Sequence, residues 1–185
     1  MAGSAVHEIR TALLGTLVLA RGDARGLANF DASLGGFWRS YRAAAISYPL
    51  YLALTLWRTE DPSWRVTIVE TIGYVVSWTA FPLVMLSLCR RLDREDHFLG
   101  FMTAYNWCQV PQIVLFCVIA AVGAVGVIGE GGAAAIGLTA AAAVLVYEWF
   151  IARVALDVSV PAAVFVVAID VALAALLQQI DESLY

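Results

Sequence analysis

Glu70, Glu148 and Asp170 are carboxylic acids set inside long apolar stretches. An ionised carboxylate removed from water costs at least a few kcal/mol, so each requires a proton, a hydrogen-bond donor or a counter-charge. With helical rise, Asp170 stands roughly 10 Å from the C-terminal end of its stretch and Glu70 roughly 6 Å from the N-terminal end of its own, depths at which the two can share a proton. Glu148 lies between Tyr147 and Trp149, where water or Arg153 can reach it. Asn106, Gln109 and Gln112 recur at steps of three, which a helix gathers into an arc of about 120°. Such a stripe serves either as amide glue between helices, the preferred reading, or as the wall of a polar cavity. The candidate polar site is therefore Glu70, Asn106, Gln109, Gln112 and Asp170, with Glu148 and Arg153 as a second candidate near one end.

Other chemistries find little support. His7 and His97 have no second ligand at metal spacing and read as solvated side chains. Cys89, Cys108 and Cys117 fit no metal motif and read as small buried hydrophobes. The glycines at 35–36 and 123–132 lack a phosphate-binding lysine or a dinucleotide fingerprint, and neither an H-E-x-x-H nor a G-x-S-x-G pattern occurs. No cofactor, metal or catalytic residue is expected, and the reading is of a protein that is not an enzyme.

Composition says what must position these side chains. Of 185 residues 62% are hydrophobic and only 14% charged, more apolar surface than a water-soluble globule of this size can hide. With 15 acids against 11 bases, all arginine, a footprint for nucleic acid is absent, and so is the composition of a disordered chain. The expected fold is all-α: an integral membrane bundle of five transmembrane helices behind an N-terminal interfacial amphipathic helix. Crossing about 30 Å of hydrocarbon takes about 20 residues, and five stretches qualify: Phe37–Trp57, in which Arg39 and Arg42 must snorkel, then Val66–Leu88, Leu99–Ile128, Gly131–Ala152 and Val158–Leu177. Residues 1–36 form a cytoplasmic segment, 37–178 the membrane domain and 179–185 a short polar tail. Within the segment, Ile9, Leu13, Leu14, Leu17 and Leu19 mark a helix too short to cross, which lies along the surface. Asn29, Asp31, Ser33, Gly35 and Gly36 read as a turn. The first apolar run is broken by Gly15 and Thr16 and bounded by Arg10 and Arg21, unlike a cleavable signal peptide.

Three spans carry internal prolines, Pro49, Pro82 and Pro111, each of which frees a carbonyl four residues earlier that must find another donor. Ala133, Gly137 and Ala141 make a small-residue ridge suited to close helix approach. Arginine placement orients the chain. Arg10, Arg21, Arg25, Arg39, Arg42, Arg90, Arg91, Arg94 and Arg153 fall on one side, and only Arg58 and Arg65 on the other. Positive residues resist translocation, which puts the N-terminus in the cytoplasm and the C-terminus outside a bacterial inner membrane.

Five spans behind a cytoplasmic N-terminal segment, with no large soluble domain, resemble the Yip1 family of small membrane proteins, and the stretches FWRSYRAAAISYPLYLAL, from Phe37 to Leu54, and AYNWCQVPQIV, from Ala104 to Val114, resemble those of uncharacterised bacterial inner-membrane proteins that share this layout. The DLYGP-type motif of the eukaryotic members is missing. The resemblance implies a non-enzymatic scaffold that works through partners, with no catalytic residue to carry over. Lipid, other membrane proteins and further copies of the chain are the expected partners. The rival expectation is a small transporter or channel subunit whose Asp170, Glu70 and amide stripe line a cavity reached by protons or solute.

Overall fold

The structure is a computed structural model that describes residues 2–59, 62–126 and 129–184. Seven α-helices and one 3₁₀ turn account for its regular structure, with no strand among the described residues. They are α1 (Ala2–Ala20), a 3₁₀ turn (Ala24–Asn29), α2 (Leu34–Ser40), α3 (Arg42–Arg58), α4 (Trp64–Arg91), α5 (Glu95–Ala124), α6 (Glu130–Ala155) and α7 (Val160–Glu182). Ser33, Ser63 and Ser159 cap α2, α4 and α7, each side chain accepting from an amide of the first turn. Asp93 and Asp157 take positive φ just past the ends of α4 and α6, a left-handed close that satisfies the last carbonyls. The two turns are tied together, because Arg94 Nε donates to the Asp157 carbonyl at 3.0 Å.

Four of these helices, Trp64–Arg91, Glu95–Ala124, Gly131–Ala155 and Val160–Glu182, are long and apolar enough to cross a membrane. Large side chains on α6 and α7 face outward, with Leu138 75% and Val146 62% exposed. Water does not tolerate such a continuous apolar exterior on a folded monomer, whereas lipid does. Helix α5 is the hub: α1, α2, α3, α4 and α6 all pack on it, while α7 bridges α4 and α6. Towards the α4 C-terminal end the bundle is closed by a packed core of Met85, Cys89, Phe101, Met102, Ile151 and Leu156.

Several expected boundaries change. The first expected span is not one helix: it breaks at Tyr41 into α2 and α3, and the 17 residues of α3 cover about 25 Å. Arg39 and Arg42 do not stand alone at an interface either. Both reach Glu8 of α1, at 2.9 and 3.0 Å, and Arg39 also pairs with Asp31. The amide of Ser33, with Arg39 behind it, holds the Asp31 carboxyl below its usual value. Helix α1 packs its Ala12, Thr16 and Leu19 face into the fold, against α5, α6 and the 3₁₀ turn, and leaves Val6, Leu14 and Leu17 exposed. Gly15 and Gly26 permit that approach, since a Cβ on Gly26 would meet the Gly15 carbonyl at 2.7 Å.

Gly35 and Gly36 lie inside α2 rather than in the turn. Helix α5 begins one turn before Leu99, and Ile128, its expected end, lies outside the described residues. Helix α7 runs on to Glu182, so most of the expected polar tail is helix, with Tyr185 outside the described residues. A Cβ added to Gly137 would meet nothing within 4 Å, so this part of the small-residue ridge supports no close approach inside the chain.

Candidate functional site

Ten residues into the 23-residue α7, about 15 Å along its axis, Asp170 faces the centre of the bundle. The hydroxyl of Tyr105, on α5, donates to its Oδ2 at 2.6 Å. Beside the pair is a cavity of about 280 Å³ whose walls come from four helices: Trp78 and Phe81 on α4, Tyr105, Asn106 and Gln109 on α5, Glu148 on α6, Asp170 and Leu173 on α7. Glu148 and Asp170 therefore line one space. Gln112 lies beside Glu148. Its Nε2 is buried with no hydrogen-bond partner among the described residues.

A second cavity, of about 500 Å³, lies between α3, α4 and α7 and shares Ser77, Ala174 and Leu177 with the first. Its acids are Glu70, Asp181 and Glu182, and Arg58 is the basic residue on its wall. The Tyr51 hydroxyl donates to Glu70 Oε2 at 2.6 Å. The Asp181 carboxylate rests directly on Gly73, where any Cβ would collide with it. Arg58, Gln178 and Glu182 at the rim are exposed. Two acid-lined cavities thus follow one another along the α4–α7 seam, from the α4 N-terminal end to the middle of α7, with the packed core beyond.

Helical spacing explains much of this line. Asp170, Ala174, Leu177 and Asp181 fall at i, i+4, i+7 and i+11, one face of α7. Across from them Gly73, Ser77 and Phe81 repeat every four residues on α4, which runs antiparallel. Tyr51, Tyr74, Trp78 and Tyr41 continue as a chain of ring contacts with centroids 4.8 to 6.3 Å apart, stiffening the α3–α4 side.

Not every expected site residue behaves alike. Glu70 neighbours Asp181 in the outer cavity rather than Asp170, so those two acids occupy successive compartments instead of sharing a proton. Glu148 lines the cavity with Asp170, while the Arg153 guanidinium lies 5.6 Å over the Trp149 ring, so of the two groups expected to reach Glu148, water or Arg153, Arg153 is turned elsewhere. Five residues along a helix separate side chains by about 140°, which is why one partner cannot serve both. The amide stripe divides: Asn106 and Gln109 line the cavity, Asn106 also donates to Ser40 Oγ at 2.8 Å, and Gln112 is buried behind them.

Tyr105, Trp78, Phe81 and Asp181 went unmarked in the sequence. Only Asp181 carried a signal, its period with Asp170. No three His, Cys, Asp or Glu side chains converge on one point among the described residues. No family model, curated protein or solved structure matches this chain.

Proposed function

We propose that this chain is a small multi-pass membrane protein that takes up protons or small cations into a carboxylate-lined cavity and passes them between the cavity and one face of the membrane, as a small transporter or channel subunit and not as an enzyme. The observation that carries this reading is that Asp170 and Glu148 share a cavity of about 280 Å³ instead of being packed among hydrocarbon. Carboxylates kept inside apolar helices are costly, and an adjoining cavity with an exposed acidic rim gives the cost a use. With α2 and α3 together as the fifth crossing, and nine arginines against two, the N-terminus lies in the cytoplasm of a bacterial cell and the outer cavity opens outward.

The test is a proteoliposome with a trapped pH dye and an imposed proton gradient. Wild-type protein discharges the gradient, whereas Asp170→Asn and Glu148→Gln slow it at least about ten-fold, as expected for groups on the path itself. Equal discharge by all three proteins contradicts the reading.

A second reading keeps the Yip1-like expectation of a partner-binding scaffold. It is favoured by the Asn106–Ser40 bond and by the Tyr147 hydroxyl, which donates to the Thr16 carbonyl at 2.8 Å, because both spend polar groups on holding helices together. In that case the acid variants lose assembly rather than flux.

A further inference from the structure

The inner cavity has two kinds of wall, and their combination narrows the ligand. We infer that it binds a small alkylammonium ion, a proposal that rests on the conducting reading above and names its substrate class. Ring surface makes up part of the lining: Trp78, Phe81 and Tyr105 contribute to it, with the Phe81 and Tyr105 centroids 4.5 Å apart. Asp170, hydrogen-bonded to Tyr105, and Glu148 supply its acids, with no basic residue on the lining among the described residues. Ring faces attract a cation electrostatically, most strongly where water is excluded, and they also accept the carbon groups attached to it. Leu173 supplies further hydrocarbon.

A hard cation such as Ca²⁺ or Mg²⁺ would use only the oxygens of the lining, those of Asp170, Glu148, Asn106, Gln109 and Ser77, and would leave the ring surface without a role. An ammonium carrying alkyl groups is matched on both counts, its charge by the carboxylates and its carbon by the rings. The polar groups are also arranged with capacity to spare. Tyr105 occupies Oδ2 of Asp170, and Oδ1 has no protein donor among the described residues. A volume of about 280 Å³ limits the guest to a few carbons, at or below the lower end of ordinary ligand pockets of roughly 300 Å³.

The experiment is calorimetric titration of the full-length protein in lipid nanodiscs with tetramethylammonium chloride. Sodium chloride and tert-butanol, which has a similar shape without the charge, are the controls. Saturable heat is expected with tetramethylammonium alone, weakening as pH falls because protons compete for the same carboxylates. Asp170→Asn and Trp78→Leu each weaken binding by about ten-fold, one by removing charge and the other by removing ring surface. Glu148→Gln provides the charge test if Asp170→Asn does not fold, with monodispersity as the check. Equal heats from sodium or tert-butanol overturn the proposal, as does an unchanged affinity in Trp78→Leu. If wild-type liposomes still discharge a proton gradient while tetramethylammonium gives no heat, the ammonium assignment fails and the proton reading stands. Trp78-dependent binding without carboxylate-dependent flux supports the site and removes conduction.

Discussion

Pro82 has no amide hydrogen, so the carbonyl of Trp78 one turn earlier loses its helical donor. The hydroxyl of Tyr41 supplies another at 3.3 Å from the junction of α2 and α3, fixing that junction against α4. Tyr41→Phe should therefore cost about 1 kcal/mol of stability in a reversible unfolding titration in detergent, the price of an unmet buried carbonyl. The same change in a Pro82→Ala background should cost close to nothing, because an amide at 82 reclaims the bond. Equal costs in both backgrounds contradict the pairing. At this scale the sequence was only partly legible. Asp170 and Glu148 could be singled out because charge inside an apolar run has few innocent explanations. Tyr105 could not, since a tyrosine in an apolar helix reads as core until its hydroxyl is seen to meet a carboxylate. Glu148 could not be assigned its neighbour either, because its orientation toward Asp170 depends on how α6 packs on α7, not on anything local.

Among the elements, α4 and α7 decide whether the inner cavity communicates with the exposed rim. Ser77, Ala174 and Leu177 line both cavities, and one turn before Ser77 the Asp181 carboxylate sits where a side chain on Gly73 would be. Gly73→Leu should displace Asp181 and fill the passage, slowing gradient discharge at least about ten-fold while the protein remains folded, as a branched side chain in a packed groove costs stability without abolishing the bundle. Gly137→Leu, on an open face of α6, serves as the comparison and should leave discharge unchanged. Discharge unaffected by Gly73→Leu argues against this route. The long helices were legible because their apolar runs exceed the thickness of a bilayer. The break at Tyr41 was not, because what holds α2 apart from α3 includes Glu8, more than thirty residues away and met only after folding. The far end of α7 carries more than its composition tells: Asp181 and Glu182, in the expected polar tail, are helical and continue along the wall of the outer cavity.

For the whole molecule, large apolar side chains face outward while the buried acids line cavities within. Val146, Val164 and Phe165 are over half exposed on α6 and α7, while Glu70, Glu148 and Asp170 face inward, the inversion expected of a fold whose solvent is lipid. The asymmetry between the ends follows from the same packing, with bulky side chains filling the α4 C-terminal end and small or polar residues leaving the other end open. Access of water to Asp170 is thus the property on which the functional reading depends. It can be measured directly by placing a cysteine at position 170, and separately at 85, in a chain whose three native cysteines are alanine, then following reaction with a membrane-impermeant cationic thiol reagent in sealed vesicles. The expected result is rapid modification at 170 from the side on which α4 begins and none at 85, which lies in the packed core. Position 170 as unreactive as position 85 from both sides would contradict a water-accessible path to this carboxylate.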